Sequence, residues 1–134
     1  MSTVKAIIER TDKNYSAYVD GIDGVVATGS NVEEIKANLI DALNDYIDTC
    51  RELGCEIPAE LGGAFNIEFK MDVNSFLSLY EGIFTKAGLE RITGINQKQL
   101  WHYAKGISNP HKTQVLKIEN ALHRLGHELI ALSF

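Results

Sequence analysis

Along the first part of the chain, apolar and polar positions alternate. Val4, Ala6 and Ile8 are separated by Lys5 and Ile7, and after the turn-forming run Thr11-Asp12-Lys13-Asn14 the same alternation returns at Tyr15, Ala17 and Val19. A period of two puts one set of side chains on one face of a strand, so the two segments predict an antiparallel hairpin. Val25 to Thr28 is a short, nearly continuous apolar run ended by Gly29 and predicts a third strand. The period then changes. Ile35, Leu39, Ala42, Leu43, Tyr46, Ile47, Cys50 and Leu53 recur at spacings of three and four, the inward stripe of a helix about six turns long. Ser30 or Asn31 can cap its start, with Glu33 or Glu34 three residues on, and Gly54 ends it. Beyond a Pro58-containing loop and the Gly62-Gly63 pair, Phe65, Ile67 and Phe69 alternate with Asn66, Glu68 and Lys70 as a fourth strand. The predicted order is βββαβ, one amphipathic helix covering one face of a mostly antiparallel sheet, a compact α+β unit over residues 1–71.

Met71-Asp72-Val73-Asn74-Ser75 marks a boundary, and residues 72–134 read as all-α. Phe76, Leu77, Leu79, Tyr80, Ile83 and Phe84 predict a first helix; Leu89 and Ile92 lie three apart on a second. Gly94 permits a sharp turn, and Asn96 can cap a helix whose Leu100 and Tyr103 face inward. A last helix carries Val115, Ile118, Leu122 and Leu125 inward, with Gly126 as its expected stop. The remaining His-Glu-Leu-Ile-Ala-Leu-Ser-Phe alternates Leu129, Ala131 and Ser133 with Ile130 and Leu132, and predicts a C-terminal strand. Lacking a partner in a helical module, such an edge from Glu128 to Phe134 invites a second copy of the chain, so a homodimer or higher homo-oligomer is expected.

Two helices around a Gly-centred turn are also how a DNA-reading helix-turn-helix is built. The outward face of the helix after Asn96 holds Gln97, Lys98, Gln99, Trp101 and His102. Of these, Gln97, Lys98 and His102 can donate to base edges in a major groove. Asn109, His111 and Lys112, in the loop that follows, are candidates for phosphate contact. The competing reading is an ordinary helical hairpin with a solvated polar face.

Charge favours the DNA reading. The net charge of −5 would oppose a nucleic-acid partner if it were evenly spread. Residues 1–70 carry six Lys/Arg against thirteen Asp/Glu, a balance of −7, whereas residues 71–134 carry seven against five, a balance of +2. Between Asn96 and Ile118 there are four lysines (Lys98, Lys105, Lys112, Lys117) and no acid. The local field there is positive on an acidic molecule, which suggests two modules with two kinds of partner.

Catalytic and metal chemistry find little to work with. A metal-dependent nuclease needs carboxylates converging on a cation, and the candidates are Glu9, Asp20, Asp23 and Glu68; but Glu9, Asp20 and Asp23 fall at strand ends or in loops, and in a segment so rich in acids solvated surface is the better reading. There is no Gly-rich phosphate loop after a strand, no GxSxG and no HExxH. His123 and His127 lack a third ligand and are expected to complement a helix C-terminus. Cys50 and Cys55 have no second Cys/His pair, so zinc is not expected; Cys50 reads as a small buried hydrophobe and Cys55 as a loop residue. No enzymatic activity, metal or cofactor is expected. The first ten residues carry too short an apolar run for a signal peptide and no stretch approaches twenty apolar residues, so a cytoplasmic protein without a membrane partner is expected.

Two family resemblances cover about half the chain each. Thr93 to Leu122 resembles the lambda-repressor/Cro-type (XRE-like) helix-turn-helix family through Gly94, Gly106, Pro110 and the closing Lys117-Ile118-x-x-Ala121-Leu122. Ala6 to Leu43 resembles the N-terminal domain of HicB-family antitoxins: a strand ending Ile8-Glu9, the Tyr15-Ser16-Ala17-Tyr18 strand, the end Val26-Ala27-Thr28-Gly29-Ser30, and a helix opening Glu33-Glu34. It departs from that family at Asp20-Gly21-Ile22-Asp23-Gly24, where Pro and Cys are common. The resemblances imply a partial ribonuclease H-like domain without catalytic function, followed by a lambda-repressor-like DNA-binding domain. They imply an antitoxin of a type II toxin-antitoxin system that sequesters a small basic HicA-like ribonuclease and represses its own operon by binding a double-stranded DNA operator. Lys86 matches a backbone-contacting position of the helix-turn-helix family, and Tyr18, Asp20, Asp23 and the acidic outer helix face are the candidate toxin contacts. The alternative is a stand-alone helix-turn-helix regulator whose N-terminal domain senses a ligand or assembles subunits.

Overall fold

The computed structural model describes residues 1–134. The chain is α+β, and runs β1 (Ser2–Arg10), β2 (Tyr15–Val19), β3 (Val26–Gly29), α1 (Val32–Leu53), a 3-10 turn (Ala59–Leu61), β4 (Phe65–Met71), α2 (Val73–Leu79), α3 (Lys86–Thr93), α4 (Gln97–Lys105) and α5 (Lys112–Ile130). It divides into two compact units, Met1–Ser75 and Phe76–Phe134.

In the first unit the sheet order is β3-β2-β1-β4. β2 pairs antiparallel with β1 and β3, but β4 runs parallel to β1. A parallel neighbour requires a long crossover, and α1 provides it. The register puts Ile8 opposite Ala17 and Ala17 opposite Ala27, while Ala6 lies between Val19 and Phe69. These small side chains at the middle of the sheet leave room for Leu39 and Leu43 of α1, and Ala6, Ala17, Leu39 and Leu43 are all fully buried. Asn31 is the cap that forms: its side chain accepts from the N–H of Glu34 at 2.8 Å. Leu53, expected inward, is 73% exposed: it is the last residue of α1, where the chain reverses at the left-handed Gly54. Within the first unit, α1 packs on one face of this sheet. On the opposite face Ile7 pairs with Tyr18 and Tyr18 with Val26, an apolar row of which Tyr18 and Val26 are exposed.

In the second unit α2 ends at Leu79, earlier than expected. The chain turns there, with the N–H groups of Ile83 and Phe84 both bonded to the Tyr80 carbonyl, and Ile83 is exposed rather than inward. Phe76, Tyr80 and Phe84 pack as three rings with centroids 5.2 to 6.3 Å apart. The core is Leu77, Leu89, Ile95, Leu100, Tyr103, Ile118 and Ala121; Val115, Leu122 and Leu125 are half-buried.

The expected C-terminal strand does not form. α5 passes through Gly126 without stopping and reaches Ile130, so Glu128, Leu129 and Ile130 are helical and the last four residues form a turn and tail. The physical reason is backbone satisfaction. A strand without a neighbour leaves its N–H and C=O groups unpaired, whereas extending an existing helix adds one internal bond per residue, more than offsetting the roughly 1 kcal/mol penalty of an interior glycine.

Candidate nucleic-acid interface

The start of α4 is held by two side chains. Asn96 Oδ1 accepts from the N–H of Lys98 at 2.8 Å, and Glu90 Oε2, reaching back from α3, accepts from the N–H of Gln97 at 3.1 Å. The intervening turn is closed by three bonds: Gly94, at φ 77°, donates to the Glu90 carbonyl, and Thr93 Oγ1 donates to the Leu89 carbonyl while accepting from Ile95. Ile95 is buried with Leu89, Leu100 and Tyr103, so the turn is pinned to the core. The Gln97 and Lys98 side chains therefore project, exposed, from a rigid first turn.

The rest of the expected outward face is less open. Gln99 is half-buried and donates to Ser108 Oγ at 3.2 Å, tying α4 to the following loop. His102 is also half-buried, its ring centroid 5.6 Å from that of Trp101. Four residues from the end of α4, the Trp101 ring is 46% exposed with Lys105 Nζ over it at 5.9 Å. Of the three expected base readers, two are free and His102 presents only part of its ring.

Asn109, His111 and Lys112 are all exposed at the entrance to α5. No side chain caps that helix and its first turn holds no acid, so its positive end faces solvent beside Lys112. Lys86 is the first residue of α3 and is half-buried. His127 stands in the last turn of α5; His123, a turn further back, does not, because the helix continues past Gly126.

In the first unit Tyr18 lies on the sheet face opposite α1, and Asp20 begins the loop to β3. Asp20 donates its N–H to the Lys5 carbonyl at 2.9 Å and lines an open cavity of about 260 Å³ with Lys5, Ile22 and Glu60. Asp23 sits close enough to Tyr46 to disfavour its phenolate. Asp41, Asp45, Asp48 and Glu52 are exposed along α1 at helical spacing, an acidic stripe. Glu9 and Glu68 stand in register opposite Ser16 and Lys5, and no three His, Cys, Asp or Glu side chains gather in a group able to hold a metal ion.

Sequence reasoning missed Glu90 and the Gln99–Ser108 bond. Both link residues across a turn, at separations of seven and nine that no periodicity marks. No helix is long and apolar enough to cross a membrane. No family model, curated protein or solved structure matches the chain.

Proposed function

We propose that the chain is a two-part regulator: a DNA-binding second unit that represses its own operon, and an acidic first unit, of partial ribonuclease H-like fold, that sequesters a small basic HicA-like ribonuclease as the antitoxin of a type II system. The observation that carries the DNA half is the rigid first turn of α4 with Gln97 and Lys98 exposed on it, next to the uncapped, acid-free start of α5 at Lys112. A glutamine pairs with adenine and a lysine with guanine in a major groove, while an open helix N-terminus and its lysine suit a phosphate. Glu90 sharpens the division of labour. Its carboxylate occupies the amide of Gln97, so the start of α4 repels phosphate and suits base edges, leaving the backbone to α5, Asn109 and Lys86.

The toxin half rests on the resemblance, on the balance of −7 over residues 1–70, and on the stripe Asp41, Asp45, Asp48 and Glu52. An acidic surface competes for the groups with which a ribonuclease holds phosphates. A two-fold protein on a two-fold operator is expected, its contact built from the exposed Leu129, Ile130, Leu132 and Phe134 as helix and tail rather than as strand.

The test is binding to DNA from upstream of the protein's own reading frame, with copurification of partners from the native source. Gln97→Ala and Lys98→Ala should each lose about 1–3 kcal/mol on the preferred site and flatten its sequence preference. Preserved specificity in both variants would move base reading to another element. A full-length protein that binds DNA but retains no ribonuclease would reduce the reading to a stand-alone regulator.

A further inference from the structure

The C-terminus of α1 brings the chain's only two cysteines together. Gly54 takes a left-handed conformation at φ 72°, and its N–H bonds to the Cys50 carbonyl. The N–H of Cys55 donates to the same carbonyl at 2.9 Å. This is the reversal in which the side chains three residues before and two after the helix end meet. A carbonyl oxygen lies about 2.4 Å from its own Cα and an amide nitrogen about 1.5 Å from the next, so even a straightened path leaves the two Cα atoms no more than about 6.8 Å apart, within the span of a disulfide. Cys50 is buried and Cys55 is exposed. Tyr46, one turn before Cys50, has its phenol raised above its ordinary value first by a hydrogen bond with the Cys50 side chain, then by desolvation and the nearby Cys50, Cys55 and Asp23.

We propose that Cys50 and Cys55 form a redox-responsive thiol pair that closes an intramolecular disulfide across the end of α1 when the protein meets hydrogen peroxide. The exposed Cys55 thiolate attacks the peroxide oxygen; an S–O bond forms, the O–O bond breaks, and water leaves, giving a sulfenic acid. The Cys50 thiolate then attacks the Cys55 sulfur, the S–S bond forms, and the S–O bond breaks with loss of a second water. The two thiols supply two electrons and two protons, and one peroxide becomes two waters. Tyr46 acts as a positioning residue by holding Cys50 Sγ toward its partner. A dithiol reverses the step, as suits a regulatory rather than a structural bond. Its site is the end of the helix whose exposed face carries Asp48 and Glu52, so oxidation stiffens the acidic stripe at its last turn.

The experiment treats the full-length protein with stoichiometric hydrogen peroxide, blocks remaining thiols under denaturing conditions, and digests with trypsin without reduction. Arg51 lies between the cysteines, so cleavage there separates peptides 37–51 and 52–70 unless a disulfide joins them. The expected product is the joined pair within a monomeric chain that has lost the mass of two hydrogens and both alkylation sites, restored by dithiothreitol. Tyr46→Phe should slow closure several-fold without changing the product. Cys50→Ser should divert Cys55 to a stable sulfenic or higher oxide. A wild-type chain that instead gains oxygen at Cys55 with Cys50 still alkylatable, or that crosslinks between molecules through Cys55, overturns the proposal; so does closure at an unchanged rate in Tyr46→Phe for the role given to that residue.

Discussion

Two glycines of the second unit should respond to the same substitution with opposite signs. Gly126 lies inside α5, has no heavy atom within 4 Å of where a Cβ would stand, and has an ordinary helical backbone. Alanine there should stabilise by about 0.5–1 kcal/mol, the difference in helix propensity with no clash to offset it. Gly94 also has open space where a methyl group would stand, but its φ is +77°. Alanine in that conformation costs about 1–2 kcal/mol, partly offset by the lower entropy of its unfolded chain, so a net loss of about 1 kcal/mol is expected. The variants should differ by about 2 kcal/mol, which for a unit of this size separates melting midpoints by roughly 8–16 °C.

Trp101 is the chain's one tryptophan and sits on α4, so its emission during urea or thermal unfolding reports the second unit selectively. If helix 112–130 really continues through Gly126, Gly126→Ala raises the midpoint and adds helical ellipticity. A chain whose helix stopped at Gly126 would hold that glycine in a left-handed cap, and alanine would lower the midpoint. A neutral or destabilising result therefore refutes the continuous helix. A neutral Gly94→Ala refutes the left-handed turn and with it the fixed presentation of Gln97 and Lys98.

Asn96→Ala removes the bond to the Lys98 N–H and should cost about 1 kcal/mol by Trp101-detected denaturation, a typical N-cap loss; an unchanged midpoint would show that Glu90 alone caps α4. Lys112→Ala should weaken binding to all DNA sequences alike and reduce the salt slope by about one unit, whereas a loss confined to one sequence would contradict a phosphate role. A chain ending at Gly126 should sediment as a monomer, since it lacks Leu129, Ile130, Leu132 and Phe134; an undiminished dimer excludes that contact. A hydrogen bond to Cys50, then desolvation and the nearby Cys50, Cys55 and Asp23, raises the Tyr46 phenol above its ordinary value. The neutral phenol is thus favoured in the folded chain, a contribution intact below about pH 10 and lost as pH rises through the folded value; Tyr46→Phe should flatten this alkaline decline in the urea midpoint.

The order βββαβ and the buried stripe Ile35, Leu39, Leu43, Ile47 and Cys50 were legible in the sequence because half-buried elements repeat their side chains at a period the backbone imposes. The parallel pairing of β4 was not: alternation reports which face a residue occupies and is silent on strand direction, which depends on where α1 delivers the chain. The tail failed for a related reason. From His127 to Phe134 the alternation of Leu129, Ala131 and Ser133 competes with the helical recurrence Leu122, Leu125, Leu129, Leu132, and so short a run satisfies both. Backbone bonding decided it, since the stretch before Gly126 was already helical and a strand had no neighbour.

At the candidate site the legible part was again what a local pattern encodes: the glycine turn, the Asn96 cap and the inward Leu100 and Tyr103. What escaped was which polar side chains are occupied by their own protein. Gln97, Gln99 and His102 are equivalent as residue types able to hydrogen-bond a base, yet Gln99 is engaged by Ser108 and His102 is half-buried beside Trp101. Those contacts narrow the proposed reading surface to the first turn of α4, where Gln97 and Lys98 project while their amides are already satisfied by Glu90 and Asn96. A surface so composed gains most from partners that accept hydrogen bonds from side chains and least from bare phosphate at the helix end. The proposal of sequence reading, rather than charge attraction alone, rests on that combination of a satisfied helix start at α4 with an unsatisfied one at α5.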